Sequence, residues 1–419
     1  MKILVIGSGG REHALIWKLK SSPKVEKIYC APGNAGIAEM AEIVNIDGEA
    51  VEQLCSFAKA NQIDLTVVGP EGPLVMGIVD HFEKEGLKVF GPNGQCAQLE
   101  GSKAFAKAFM DRHQIPTAKY SEYVRLEEAK RAVGVYGYPM VLKADGLAAG
   151  KGVVIAQNEK EALEALDQMM GQKKFGTAGD KVVIEEFLEG IETSILCFVD
   201  GKNIVPMVSA QDYKRVYDED EGPNTGGMGT YSPSYIYGEA LQEEVHRNIL
   251  IPIIEGMKKD GLDFRGILFI GLMITKEGAK VLEFNTRFGD PETQVILTRL
   301  ETDLVDIIES ILERRLAAQE IRWSEKRTVC VVLASGGYPE NYEKGKPIEG
   351  LKQVEEDVVV FHAGTKFSNG QIVTNGGRVL GVTAWGDTAE AANEKAYQNI
   401  KKIYFEGMHY RKDIGKEIF

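Results

Sequence analysis

The sequence is short of what several large protein classes need. Its 419 residues include five cysteines (Cys30, Cys55, Cys96, Cys197, Cys330), scattered and without a Cys-x-x-Cys pair. That excludes a disulfide framework or a thiolate zinc site and points to a reducing compartment. The six histidines (13, 81, 113, 246, 362, 409) show no His-x-x-x-His or His-x-x-Glu spacing, which argues against a histidine-ligated zinc centre. Positive charge is also scarce: 49 Lys plus Arg face 62 Asp plus Glu, a formal charge of −13. A general nucleic-acid-binding domain is usually basic, although a local basic pocket for a small anion is compatible with this balance. No apolar run approaches the roughly 18 residues a membrane helix needs. The opening MKILVIGSGGREH lacks the long apolar stretch and small-residue cleavage site of a secretion signal, so a cytoplasmic location is expected. There is no Gly-x-Ser-x-Gly, and a nucleophile elbow is unsupported.

What is present is an ordinary globular composition, 44% hydrophobic and 26% charged, in a chain long enough for two to four domains. The first hundred residues alternate short β-branched strands with amphipathic helices. The expected strands are Lys2 to Ile6, Lys27 to Tyr29, Leu65 to Val68 and Lys88 to Phe90; the helices are Arg11 to Leu19, Val51 to Ala60 and Leu74 to Glu85. Apolar strands joined by crossover helices predict an open parallel sheet, with ligands at the carboxyl ends of its strands.

After Gly101 the texture changes to a mixed α+β pattern. Ser102 is placed to cap a helix through Arg112. Strands are expected at Met140 to Lys143, Gly152 to Ala156, Val182 to Glu186, Ser194 to Val199, Ile204 to Ser209, Ile267 to Ile274 and Lys280 to Asn285, and a helix at Asp303 to Ala317. The polar stretch QDYKRVYDEDEGPNTGGMGTYSP reads as a long loop, and such loops are usually functional or disordered. A strand-rich third piece follows, with Thr328 to Ala334, Val358 to His362, Arg378 to Ala384 and a closing helix from Thr388 to Ile403. The working boundaries are 1–101, 102–322 and 323–419.

Two glycine-rich segments are candidate anion sites. GSGGREH lacks the third glycine of a dinucleotide fingerprint, since that position holds Glu12. The turn can still aim the amides around Gly9 and Gly10 at an anion beside Arg11, or be no more than a tight strand-helix turn. The second, KADGLAAGKGV, sets Lys143 and Lys151 around Gly146, Gly150 and Gly152. It fails the P-loop pattern, because three residues separate Gly146 from Gly150 and Gly152 stands where Ser or Thr belongs. A glycine hairpin whose amides fold onto phosphates while lysines neutralise them suits a triphosphate lid better than a solvated hairpin. One helix later, in VVIEEFLEG, residues Glu185, Glu186, Phe187 and Leu188 can offer backbone groups to an adenine edge, with Glu192 near a ribose. Apolar strands ending in acidic residues are common, and this reading takes its weight from its position after the lysine loop.

KVLEFNTRFGDPETQ puts Glu283, Asn285 and Arg287 at i, i+2 and i+4, on one face of a strand. A carboxylate, an amide oxygen and a guanidinium together suit a hard cation and the phosphate it bridges. Magnesium fits because it takes few protein oxygens. The preceding strand, Ile267 to Ile274, carries no acid, which leaves Asp290 and Glu292 as sources of a second carboxylate. In the long polar stretch, Asp212, Lys214 and Arg215 precede Asn224, Thr225 and Gly226, a segment able to close over a small polar substrate or simply cross the surface.

In order along the chain stand GGREHAL, APGN, VGPE, EGSKAF, KADGLAAGKGV, VIEEFLEG, GPNTGGMG, EFNTRFGDPETQ, FHAGT, TNGGRV and RKDIG. Together they resemble the ATP-grasp carboxylate-amine ligases, most closely the phosphoribosylamine-glycine ligase family. One position departs: Tyr213 stands in QDYKR where that family tends to have histidine, which speaks against a direct role for this side chain.

The resemblance implies a Rossmann-like N-terminal domain, a central ATP-grasp fold and a small strand-rich C-terminal domain. It implies ligation of glycine to 5-phosphoribosylamine through glycyl phosphate, giving glycinamide ribonucleotide, ADP and phosphate in purine biosynthesis. ATP is the co-substrate, Mg2+ or Mn2+ the metal, and no protein nucleophile is needed. On this reading Lys103 and Lys143 contact phosphates beneath the 146–152 lid, Glu185 to Leu188 bracket the adenine and Glu192 meets the ribose. Glu283 and Asn285 hold the metal, and Arg287 meets the γ-phosphate or the acyl phosphate. Gly9, Gly10, Arg11, Glu12, Pro70 and Glu71 receive phosphoribosylamine near Gly289 and Asp290, while Asp212 and Asn224 to Gly226 help close the site. The implied partners are these small molecules, with no nucleic acid and no membrane, for a monomer or weak homodimer. The end of the chain soon after RKDIG implies a stand-alone enzyme. Two rivals are a related ATP-grasp enzyme that activates bicarbonate or another carboxylate, and a non-catalytic nucleotide-binding regulator. The intact lysines and the Glu283/Asn285 pair count against the regulator.

Overall fold

A computed structural model describes residues 1–148 and 152–416. The first apolar strands form a five-stranded parallel sheet in the order Glu42–Ile43, Lys27–Pro32, Lys2–Gly7, Leu65–Val68, Val89–Phe90. The runs KILVIG and LTVV are buried almost throughout, as parallel strands covered on both faces must be. Strand order reverses about Lys2–Gly7, so the turns after it and after Leu65–Val68 flank a switch point, the usual place for a ligand in such a sheet. The edge strand Glu42–Ile43 is too short to show a period in sequence. The expected helix Leu74 to Glu85 is two helices, Glu71–Val75 and Ile78–Lys84. They are separated by Gly77 at φ +80°, a left-handed turn that ends the first.

Two four-stranded antiparallel sheets follow. One has the order Tyr120–Tyr123, Val182–Glu186, Met140–Ala144, Val153–Ala156; the other Ile204–Pro206, Ile191–Asp200, Arg265–Thr275, Gly278–Asn285. They meet where Thr117 bridges Val281 and where the Lys143 ammonium donates to the Leu282 carbonyl at 3.2 Å. Ser102 caps the helix Lys103–Arg112 as its sequence predicts, its hydroxyl accepting the Phe105 amide at 3.0 Å.

The third sheet has the order Gln211–Asp212, Gly229–Ser232, Arg327–Ala334, Arg378–Gly386, Val358–His362. The long polar stretch is therefore not a plain loop, since two of its segments extend this sheet and Arg215–Tyr217 pairs with Glu221–Asn224 beside it. Its strand Gly229–Ser232 is fully buried despite small polar residues, so no apolar period announced it. The expected helix Asp303 to Ala317 is shorter: Asp303 caps Leu304–Leu312, and Arg314 at φ +57° turns the chain into a short 3-10 segment, Leu316–Ala318.

One apolar cluster joins the three pieces: Val5 and Leu15, Phe198 and Phe269, Val295, Cys330 and Phe361 pack together. Each fully buried side chain of this size contributes about 1.5–3 kcal/mol relative to exposure. No helix among the described residues is long and apolar enough to cross a membrane.

Candidate active site

The cleft between the two antiparallel sheets is lined with charge. Lys143, near the end of Met140–Ala144, lies 3.0 Å from Glu185 Oε2. Glu185 Oε1 lies 3.4 Å from Lys107 Nζ, and all three side chains are buried. Lys107 also donates to Thr117 Oγ1 at 2.8 Å and the Ala118 carbonyl at 3.1 Å; burial brings its pKa down to about 8 against the pull of Glu185. The pleat turns Glu186 the other way, where it accepts the Lys119 amide at 2.9 Å.

Lys103 opens the helix Lys103–Arg112, and its ammonium donates to the Gly146 carbonyl at 2.6 Å. Asp145 reaches back to the start of that helix, taking the Ser102 hydroxyl at 2.9 Å and the Ala104 amide at 3.1 Å. The glycine-rich turn is thus clamped at its first residues. Gly146 has φ +154°, and a Cβ there would sit 2.6 Å from Ala178 Cβ and 3.0 Å from its Cα, so only glycine fits. Gly152 accepts the Ala144 amide at 2.8 Å. Gly150 and Lys151 lie outside the described residues.

Glu283 and Asn285 close the strand Gly278–Asn285, and Arg287 stands just beyond it. The Glu283 side chain is open to solvent, with charged groups close on several sides. Burial would raise its pKa, but Lys214, Lys143, Lys103 and Arg287 outweigh that and hold it below the ordinary carboxylate range. Gly271 pairs with it across the sheet, where a Cβ would stand 3.3 Å from Glu283 Cγ, so the neighbouring strand supplies no second acid. Of the two other candidates, Asp290 is engaged elsewhere: it accepts the Arg11 amide at 3.2 Å and Gln294 Nε2 at 3.0 Å. Glu292 faces Lys214 and Arg287, and burial plus the Asp212 charge push its pKa up to about 7. Among the described residues no group of three or more His, Cys, Asp or Glu is gathered tightly enough to hold a metal by itself. A carboxylate and an amide oxygen suit a cation that keeps water and phosphate as its other ligands.

Asp212 and Lys214 point to the same side, their charged atoms 2.7 Å apart. Burial lowers the Lys214 pKa, yet Asp212, Glu192, Glu292 and Glu283 together raise it above its ordinary value. Glu192 is pushed up to about 7, first by burial and then, against Lys214, by the Asp212 and Glu283 charges. Tyr213, between Asp212 and Lys214, faces the opposite side: its ring lies beneath the Arg411 guanidinium at 4.8 Å, and its hydroxyl accepts the Gly415 amide at 2.8 Å. Thr225 is fixed to the Lys214 carbonyl by its amide at 2.7 Å and its hydroxyl at 2.8 Å. Arg378, from the third sheet, donates to the Gly226 and Asp290 carbonyls, both at 2.6 Å.

At the switch point the Glu12 side chain folds back over its own helix start. It accepts the Gly9 amide at 2.6 Å and lies 2.6 Å from Arg11 Nε, while Arg11 Nη1 donates to the Phe288 carbonyl at 3.0 Å. Pro70 leads into Glu71–Val75, and Glu71 Oε2 lies 3.2 Å from Arg287 Nε. Gly289 leaves room for Glu292, whose Oε2 would be 2.4 Å from a Cβ there. Arg287 therefore links the charged cleft to the switch point of the N-terminal sheet.

Family models for the phosphoribosylglycinamide synthetase N domain, ATP-grasp (A) domain and C domain match residues 1–100, 101–293 and 328–417 in turn. The chain belongs to the phosphoribosylglycinamide synthetase family. It is 54% identical over 415 residues to the phosphoribosylamine-glycine ligase of Caldanaerobacter subterraneus subsp. tengcongensis, covering 99% of both chains. It is 52% identical over 419 residues to that of Pseudomonas aeruginosa, covering 99% of this chain and 97% of the relative. The solved phosphoribosylamine-glycine ligase of Thermotoga maritima superposes with a TM-score of 0.87 at 36% identity, over 99% of this chain and 100% of the other. A biotin carboxylase from Campylobacter jejuni, at 16% identity and TM-score 0.73 over 99% of this chain and 94% of its own, shares the fold alone. As a member of this family the chain is an ATP-dependent ligase that joins glycine to phosphoribosylamine in purine biosynthesis.

The charged cleft also contains residues whose place there sequence alone does not reveal. Lys107 sat unnoticed inside an amphipathic helix. Lys214 lies beside Asp212 in sequence, and its central position among carboxylates shows only in three dimensions. Glu100 and Arg378 lie within the motifs EGSKAF and TNGGRV, the only sequence signal that marks them.

Proposed function

We propose that the ligase works in two transfers at this joined site. A glycine carboxylate oxygen attacks the γ-phosphorus of ATP, the bond to the bridging oxygen breaks, and ADP and glycyl phosphate form. The phosphoribosylamine nitrogen then attacks the acyl carbon, loses a proton and displaces phosphate. Neither step asks for a protein nucleophile; both need in-line placement, charge neutralisation and exclusion of water.

Lys103 and Lys143 are assigned to the phosphates and the 146–152 segment to their cover. Glu185 to Leu188 are assigned to the adenine and Glu192 to the ribose. Arg287 is assigned to the transferred phosphoryl group. Glu283 and Asn285 would hold Mg2+ or Mn2+, which when bound neutralises phosphate charge. Gly9 to Glu12, Pro70, Glu71, Gly289 and Asp290 are assigned to phosphoribosylamine, and Asp212 with Asn224 to Gly226 to closing the site. Domains of 1–101, 102–322 and 323–419, working as a monomer or weak homodimer in the cytoplasm, complete the reading.

The observation that supports it is the Arg287–Glu71 contact, 3.2 Å, between a residue assigned to the transferred phosphoryl group and one assigned to phosphoribosylamine. The test is ADP release from magnesium and ATP, with phosphoribosylamine generated in place, with and without glycine. Release that requires both co-substrates, matched by glycinamide ribonucleotide, is expected. Release supported by bicarbonate instead would overturn the substrate assignment.

A further inference from the structure

Glu100 lies in the last turn of the helix Gly94–Gly101 with its side chain 6% exposed. Two effects oppose a charged carboxylate there. Burial raises its pKa, and a helix C-terminus presents the negative end of the dipole. Both of its oxygens are committed to one stretch of chain. Oε1 lies 2.8 Å from Arg287 Nη2, and Oε2 accepts the Thr286 amide at 2.7 Å and its hydroxyl at 3.3 Å.

The other donors of Arg287 are spread differently. Nε meets Glu71 Oε2 at 3.2 Å, Nη1 the Phe288 carbonyl at 3.2 Å and Nη2 also Asn285 Oδ1 at 3.2 Å. Glu71 is 32% exposed, so water or a substrate can replace the guanidinium as its partner. Glu100 has no such alternative, because leaving an unpaired carboxylate buried is costly. It is the fixed end of this pair of contacts. Three residues later Lys103 holds the Gly146 carbonyl, so one short junction sets both the guanidinium and the glycine-rich turn.

We infer that Glu100 is a positioning residue for the ligation. It fixes the Arg287 guanidinium and the peptide between Asn285 and Arg287, without touching substrate. The inference rests on the role proposed above for Arg287. Transfer to and from an acyl phosphate depends on in-line placement, where a misplacement of about 1 Å can cost about 100-fold in rate. Glu100→Gln keeps the side chain's size and one acceptor, but it turns an amide N–H2 or a neutral oxygen towards the guanidinium.

The experiment is steady-state kinetics on the full chain, with ATP, magnesium, glycine and phosphoribosylamine made in place. Glu100→Gln is expected to lower kcat about 10- to 100-fold while the KM for ATP stays within about twofold. Placed on an Arg287→Ala background, the same change is expected to lower kcat by less than about twofold further, because the group it positions is gone. An unchanged kcat in the single variant, or independent losses that multiply in the double variant, overturns the inference. If Glu100→Gln does not fold, Glu100→Asp carries the same cycle, keeping the charge but withdrawing it by one methylene. A wild-type kcat for Glu100→Asp overturns the inference, and a reduced kcat that Arg287→Ala does not compound supports it. Full turnover by Arg287→Ala alone removes the proposed role of Arg287 and this inference with it, whereas multiplying losses remove only this one.

Discussion

The Asp290 carboxylate accepts the backbone amide of Arg11 at 3.2 Å, across 279 residues of sequence. Glu12 takes the Gly9 amide of the same helix start at 2.6 Å. Protein carboxylates thus hold the Gly9 and Arg11 amides at the positive end of this helix, so these two are not open to an anion, contrary to what the glycine-rich turn suggests in sequence. The turn after the strand Gly278–Asn285 packs against the first turn of the N-terminal sheet.

Asp290→Ala tests that connection. Burial would raise the Asp290 pKa, but Arg378 and Arg11 hold it below the ordinary range, so the group is ionised and its loss removes a charge as well as a cap. The KM for phosphoribosylamine is expected to rise about tenfold, equivalent to about 1.4 kcal/mol, with the KM for ATP unchanged. Equal effects on both would count against the assignment of Asp290 to phosphoribosylamine.

Glu283→Ala is expected to abolish magnesium-dependent turnover, a fall of at least about 100-fold, while metal-free ATP binding measured by calorimetry persists. Lys214, Lys143 and Lys103 then lose the carboxylate they surround, so binding of free ATP is expected to tighten slightly. Normal activity at ordinary magnesium would remove Glu283 from the metal site.

Tyr213→Phe separates shape from chemistry. The hydroxyl accepts the Gly415 amide at 2.8 Å and faces away from Asp212 and Lys214. The substitution is expected to cost about 1 kcal/mol of stability, visible as a lower Tm, with kcat and the KM for glycine unchanged. A selective change in glycine KM would show that this residue reaches the substrate after all.

His13 and His362 make stability depend on pH. Burial, and for His13 also the neighbouring His362, lowers their pKa values to about 3 and about 4, and His13 Nδ1 accepts the His362 amide at 2.8 Å. Between about pH 6.5 and pH 4.5 the unfolded histidines take up protons that the native ones refuse, so acidification destabilises the fold. Glu192 and Glu292, pushed up to about 7, act in the opposite direction over the same window. His13→Asn keeps an acceptor and removes one protonation. Relative to the unsubstituted protein, its unfolding free energy in urea is expected to gain about 1.4 kcal/mol per pH unit on acidification through that window. Parallel pH profiles for the two proteins would contradict this.

How much of this was legible in the sequence differs from element to element. Leu65–Val68 and Val182–Glu186 were readable to the residue, because an apolar strand between turn residues has little freedom to be anything else. The helix break at Gly77 and the turn at Arg314 were not, since both depend on positive φ values that side-chain periodicity does not encode. Gly229–Ser232 was missed because its burial comes from a sheet built a hundred residues later.

At the site, the types and order of the chemical groups were determined by the sequence alone: lysines around glycines, and Glu283, Asn285 and Arg287 at alternate positions. Tertiary structure alone decided which charges face each other. Coulomb interaction and desolvation depend on distance and burial, not on spacing along the chain. So Lys214 came to stand among four carboxylates, Asp290 was turned to the Arg11 amide, and Glu100 was brought 2.8 Å from Arg287.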